Sequence, residues 1–285
     1  MKIINKGIDS SIIITMLFLM SCSSDDTSET TQFTFPENQT IFLDSQEKLD
    51  AFGAIGHTVF NETIVIGTAN QLNISITNLN ALSTLTSVKG LTIHYNSQLT
   101  TLQGITNLQT IQSDGLIIEE NPSLTNLSGL NGLQAISGST IIIMNGIMAS
   151  LDGLNNVSSI GGGLIIEENP NLSNYEGLIG LQSIGGDAYI GMNGIVSMNG
   201  ITADLEGLNN LTSIGGDLTL YENPNLVNVS GLIGLETIGG TAFVEMNGFM
   251  ESLDGLNNIT SIGGDIIIED NSLLTDFCGI RPVMV

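Results

Sequence analysis

The stretch Leu154-Asn-Asn-Val-Ser-Ser-Ile-Gly-Gly-Gly-Leu-Ile-Ile-Glu-Glu-Asn-Pro-Asn-Leu-Ser-Asn-Tyr-Glu-Gly-Leu178 decides the reading of this chain. It recurs with small changes from about residue 70 to the last residue. The Asn that ends its apolar run marks each copy: Asn96, Asn121, Asn145, Asn169, Asn193, Asn223, Asn247 and Asn271. Successive spacings are 25, 24, 24, 24, 30, 24 and 24 residues. The long gap is a local duplication, Met192-Asn-Gly-Ile-Val-Ser197 followed by Met198-Asn-Gly-Ile201. A repeat of this length predicts a solenoid with one coil per repeat.

Each coil has two parts. Before the Asn, residues alternate: Leu164 and Ile166 face one way, Ile165 and Glu167 the other, which is a strand pattern. After it, apolar residues fall at every third position, as in Leu172, Tyr175, Leu178, Leu181 and Ile184. That spacing suits short extended segments and corners, not an α-helix of 3.6 residues per turn. The Gly pairs 161–162, 185–186, 215–216, 239–240 and 263–264 sit where the chain turns into the next strand, where positive φ is expected. The Asn column is expected to be buried and to satisfy backbone groups at the corner, each Asn worth about 1–3 kcal/mol. Coils also alternate in kind. Asn121, Asn169 and Asn223 lie between Glu and Pro; Asn145, Asn193 and Asn247 lie between Met and Gly.

The recurring Gly-Leu-x-x-Leu-x-x-Ile-Gly-Gly-x-Leu-x-Ile-x-x-Asn-Pro pattern, over about residues 60–285, resembles the receptor L domain. The resemblance implies a leucine-rich-repeat-like, right-handed parallel β-helix in an all-β chain. It does not imply receptor signalling, because the Cys-rich modules that accompany such receptors are missing.

The N-terminus reads as an address. Lys2 and Lys6 precede the apolar run Ile12–Met20, which is too short to span a bilayer. Leu19-Met20-Ser21-Cys22 resembles the bacterial lipobox, implying cleavage before Cys22 and its lipidation. The polar residues that follow suit a flexible tether. Ser23 after the Cys and the pair Asp25-Asp26 are similar to outer-membrane and surface-export signals of Bacteroidetes-type lipoproteins. In the segment Phe42–Gly53, Asp44 or Ser45 can cap a helix whose Leu49 and Phe52 share a face. A solenoid's first coil would otherwise expose its interior, so this helix is expected to act as a lid. The chain therefore divides into a signal peptide (1–21), a tether (22–40), a cap (41–62) and the solenoid (63–285).

Charge narrows function. The chain carries 29 acidic against 5 basic residues, a net of −24, which excludes nucleic acid, since phosphate binding needs clustered Lys or Arg. No Lys or Arg occurs between Lys89 and Arg281, which argues against polysaccharide lyases that need a basic group. Asp187, Asp217 and Asp265 recur beside the Gly pairs once per coil, as scaffold residues do. No calcium-loop motif is present, so no metal and no cofactor is expected.

What remains is the outward face of the strands, expected as two adjacent columns. One holds Thr92, Ile117, Ile141, Ile165, Tyr189, Thr219, Phe243 and Ile267. The other holds His94, Glu119, Ile143, Glu167, Gly191, Tyr221, Glu245 and Glu269. Of these, Ile117, Glu119, Ile141, Ile165, Glu167, Tyr189, Tyr221, Phe243, Glu245, Ile267 and Glu269 are the candidate binding face. The expected role is binding or adhesion to a protein or glycan ligand, without catalysis, on an outer-membrane surface lipoprotein. The alternatives are a self-associating envelope component and a polysaccharide-acting β-helix enzyme.

Overall fold

The computed structural model describes residues 33–36, 38–194 and 204–283, with residues 281–283 as backbone only. The expected signal peptide, Cys22, most of the tether and much of the local duplication lie outside the described residues.

The described chain is an all-β parallel solenoid. Strand β1 (Ile41–Leu43) is followed by helix α1 (Gln46–Gly53), β2 (Val59–Ile66), β3 (Ser87–His94) and β4 (Thr110–Glu119). Each later coil carries a two-residue strand and then a four-residue one. They are β5 (Ala135–Ile136) and β6 (Thr140–Ile143), β7 (Ser159–Ile160) and β8 (Leu164–Glu167), β9 (Ser183–Ile184) and β10 (Ala188–Gly191). The series ends with β11 (Ser213–Ile214) and β12 (Leu218–Tyr221), β13 (Thr237–Ile238) and β14 (Ala242–Glu245), β15 (Ser261–Ile262) and β16 (Ile266–Glu269). All of them belong to one 16-stranded sheet. The four-residue strands continue the ladder β2-β3-β4, and the two-residue strands form a second ladder that also starts from β4. The long strand divides at Gly115, whose φ of +77° bends it, and Gly138 begins the break in the next coil.

The sheet begins earlier than the sequence suggested. Ile41–Leu43 pairs in parallel with Ile64–Ile66, so it is a strand of the solenoid rather than part of a separate cap. Its alternation is real, with Ile41 and Leu43 buried and Phe42 outside, but three residues are too few to stand out in a linear reading. Ser45 is the N-cap of α1: its side chain accepts from the Lys48 N–H at 3.2 Å. Leu49 and Phe52 are buried, as expected.

A single apolar cluster runs from Ile41 to Ile280. The period-three ladder is buried except in the last described coil; Leu172, Tyr175, Leu178, Leu181 and Ile184 are each at most 3% exposed. Its period comes from tight turns. The Leu178 N–H donates to Tyr175 O at 2.8 Å and the Leu181 N–H to Leu178 O at 2.9 Å. Bonds from residue i+3 to i wind three residues per turn, so every third side chain points inward.

The Asn column does what was expected of it. Asn169 is fully buried, and its Nδ2 donates to Ile142 O at 2.9 Å and to Glu167 O at 3.0 Å. Its Oδ1 accepts the Asn145 N–H at 3.0 Å. Asn96, Asn121, Asn145, Asn247 and Asn271 likewise bond a carbonyl of their own coil and one of the coil before, while Asn193 and Asn223 bond a carbonyl of the coil before.

The Gly pairs need correction. None of them has positive φ. A Cβ on Gly185 would lie 2.2 Å from Gly161 O, and one on Gly215 would lie 2.2 Å from Gly185 O. These residues are glycine because neighbouring coils touch there, not because the backbone bends the wrong way. The left-handed positions belong instead to the residue before each marker Asn.

Candidate binding face

The sheet register brings the two predicted columns together residue for residue. Thr92, Ile117, Ile141, Ile165, Tyr189, Thr219, Phe243 and Ile267 are successive Cα partners. His94, Glu119, Ile143, Glu167, Gly191, Tyr221, Glu245 and Glu269 are as well. Strand alternation turns their side chains away from the core. The four-residue strands show the burial order buried, half-buried, buried, half-buried in β6, β8, β12 and β14. The candidate residues are therefore half-buried rather than freely exposed, since each packs against its neighbours above and below. Glu269, in the last described coil, is exposed.

A third column flanks these two, and sequence reasoning missed its conformation. Tyr95, Glu120, Met144, Glu168, Met192, Glu222, Met246 and Asp270 all have φ between +49° and +57°. The left-handed region costs a residue with a side chain about 1–2 kcal/mol. The neighbouring ladder enforces it: the Glu168 N–H donates to Gly191 O at 3.2 Å, while Asn169 holds the carbonyl of Glu167. Glycine fits such a position best, yet none of the eight is glycine in a chain with 34 of them. Met and Glu carry no left-handed propensity, so only the fixed place before the Asn could have signalled it. Met144 and Met246 are 41% and 42% exposed.

Three of the chain's four tyrosines lie on this face, and each has a carboxylate close enough to shift its phenol. Burial, and then Glu167, pushes the Tyr189 phenol up. The hydrogen bond to Glu222 raises Tyr221, and that to Glu120 raises Tyr95. Burial raises the Glu167 carboxyl despite the opposing bond from Tyr189. The Tyr189 ring runs along its strand. A Cβ on Gly191 would meet its Cε1 at 2.7 Å and its hydroxyl oxygen at 2.8 Å, so the ring fills the space that a side chain at position 191 would take. At the first end of the column, His94 Nδ1 lies 3.5 Å from Glu119 Oε1.

Other polar columns are tied into the scaffold. Asp187 Oδ1 accepts the Asp217 N–H at 2.9 Å, and Asp217 Oδ1 accepts the Thr241 N–H at 2.7 Å. The two-residue strands line a shallow groove of about 620 Å³ with Ser159, Ser183, Ser213, Thr237 and Ser261. Among the described residues, no three His, Cys, Asp or Glu side chains are grouped to hold a metal ion. No helix among them is long and apolar enough to cross a membrane. Compared with known proteins, the chain matches no family model, no curated protein and no solved structure.

Proposed function

We propose that this protein is a non-catalytic binding scaffold, held on the bacterial outer surface by a lipid on Cys22, whose solenoid presents the strand face to a protein or glycan ligand. One observation carries the reading: two outward columns stay in register over eight coils and keep apolar, aromatic and acidic groups where a merely solvated face has no need of aromatics. A rigid parallel ladder holds these groups in place, so little ordering entropy is lost on binding. The resemblance of the repeat to receptor L domains supports the solenoid scaffold, and the lipobox-like Leu19–Cys22 supports the location.

The test is an array of glycans and host proteins probed with the protein and with its Ile165→Ser, Tyr189→Ser, Phe243→Ser triple variant. Binding lost by a variant that still melts cooperatively supports the reading; binding that survives removes the face. Protease shaving of intact cells checks the location, and complete resistance would count against surface display.

A further inference from the structure

We propose that Tyr189, flanked by Glu167, Tyr221 and Glu222, is a seat for a cationic side chain, arginine above lysine, of an extended basic polypeptide lying along the strand face. The inference rests on the reading of that face as the binding surface and names the chemistry of its partner.

The Tyr189 ring lies along its own strand over Gly191, its hydroxyl oxygen 2.8 Å from where a Cβ at 191 would stand, and Gly191 is the Cα partner of Glu167. The hydroxyl thus lies against the protein itself. What is left for a ligand is ring surface and carboxylate lone pairs, which are acceptors only. Such a surface calls for donors and positive charge. A guanidinium supplies both, because its planar fork stacks on an aromatic ring and binds a carboxylate through two N–H groups.

The chain provides no cation of its own here, since no Lys or Arg lies between Lys89 and Arg281. Lys89 is paired with Asp114 at 3.3 Å and lies near Glu62 at 3.7 Å. A neutral sugar would leave the half-buried Glu167 charge uncompensated, whereas a bound cation neutralises it. The room for the ring is also specific to this coil. The second column carries a side chain in every other coil and glycine only at Gly191, where the Tyr189 ring lies across the gap.

Spacing gives the partner its form. Over the coils around Tyr189, acidic groups at the strand ends recur at every second coil, as Glu119 with Glu120, Glu167 with Glu168, and Glu222; beyond them Glu245 and Glu269 with Asp270 follow on consecutive coils. The coils between carry Ile143 with Met144 and Gly191 with Met192. Coils about 4.8 Å apart put these acidic positions about 10 Å apart, which three residues of an extended chain cover at about 3.3 Å each. Basic residues at every third position of an extended segment with three residues per turn, as in polyproline II, therefore share one face and fall on successive acidic coils, with apolar neighbours over the Met and Ile coils.

The experiment is fluorescence anisotropy of a labelled synthetic peptide with arginine at every third position, titrated with the full chain, beside its twin with citrulline for arginine. Saturable binding of the arginine peptide, about 10-fold or more tighter than the twin and weakening as salt rises, is expected. Tyr189→Leu and Glu167→Gln should each weaken it about 5- to 10-fold. Gly191→Ile should do the same by displacing the ring, and the sheet accepts that residue at Ile143 of a sister coil. Glu236→Gln, an equal charge change at an exposed site off this face, should leave binding unaltered. Equal affinity for the citrulline twin, or wild-type affinity in the Tyr189 and Gly191 variants, overturns the proposal. Neutral oligosaccharide binding that needs Tyr189, without peptide binding, overturns the cation while keeping the face. An array with no ligand at all overturns both.

Discussion

Two adjacent columns of this solenoid differ in almost every respect although one peptide bond separates them. The marker Asn is invariant through eight coils and buried in all but the last described one, and every Nδ2 donates to a carbonyl of the coil before it. The column just before it turns outward in a left-handed conformation and varies among Tyr, Glu, Met and Asp. Identity marks positions where the repeat needs one chemistry. Variation at a strained position marks side chains that the repeat does not need.

The largest effect should come from breaking the Asn column. Asn169→Leu leaves Ile142 O, Glu167 O and the Asn145 N–H without their partner. Three buried groups at about 1 kcal/mol or more each give a loss of about 3 kcal/mol. Urea unfolding should show a lower midpoint at an unchanged slope. Asn271→Leu is the contrast. Its coil is the last described, and its partners are partly exposed, so its loss should be smaller. Equal losses at the two sites would mean that the ladder acts through something other than buried hydrogen bonds.

A second comparison sets two glycines against each other. A Cβ on Gly185 would lie 2.2 Å from a backbone oxygen of the coil before, while one on Gly248 would meet nothing within 4 Å. Gly185→Ala must push coils apart, at a cost of about 1–3 kcal/mol. Gly248→Ala only restricts the unfolded chain and should stabilise by about 0.5 kcal/mol. Thermal melts of the pair should move in opposite directions.

These contrasts show what the linear sequence could and could not reveal. Leu164, Ile166 and Asn169 declared the strand, its inward face and its corner, because each responds to a need repeated in every coil. The register of Ile165 with Tyr189 followed from the period alone, and that of Tyr189 with Thr219, 30 residues on, needed the local duplication to be recognised as well. The Gly pairs were read for the wrong property, since composition cannot distinguish a close approach from a positive φ. Glu168 and Met144 gave no sign of their backbone state, because the neighbouring Asn imposes it and their own propensities do not. The room that Gly191 makes for Tyr189 depends on a rotamer, which no spacing encodes.

The outward column can be tested directly for strain. Glu168→Gly removes the left-handed penalty and should gain about 1 kcal/mol, offset in part by the greater freedom of glycine in the unfolded chain. A gain in stability with a loss of peptide binding would separate the two roles of the column. A loss in stability would show that the Glu168 side chain supports the fold after all.

The smallest expected effect concerns Glu167, and its sign is fixed by the direction of its shift. Burial raises its folded-state pKa above the ordinary 4.5. Between the unfolded and folded values the native state therefore holds more protons than the unfolded chain, so stability falls as pH rises through that window and levels off above it. Asp114 works the other way. Its bond from Thr63, and then Lys89, lowers it below 3.8, so its contribution is present at neutral pH and fades only in acid. Glu167→Gln should raise the melting temperature slightly at neutral pH and flatten the pH profile just above 4.5, leaving the acid limb unaltered. Asp114→Asn should do the reverse, weakening the neutral protein and flattening the acid limb. A Glu167→Gln protein that melts lower at neutral pH would show that the ionised carboxylate, through its bond from Tyr189, contributes more to the fold than its burial removes.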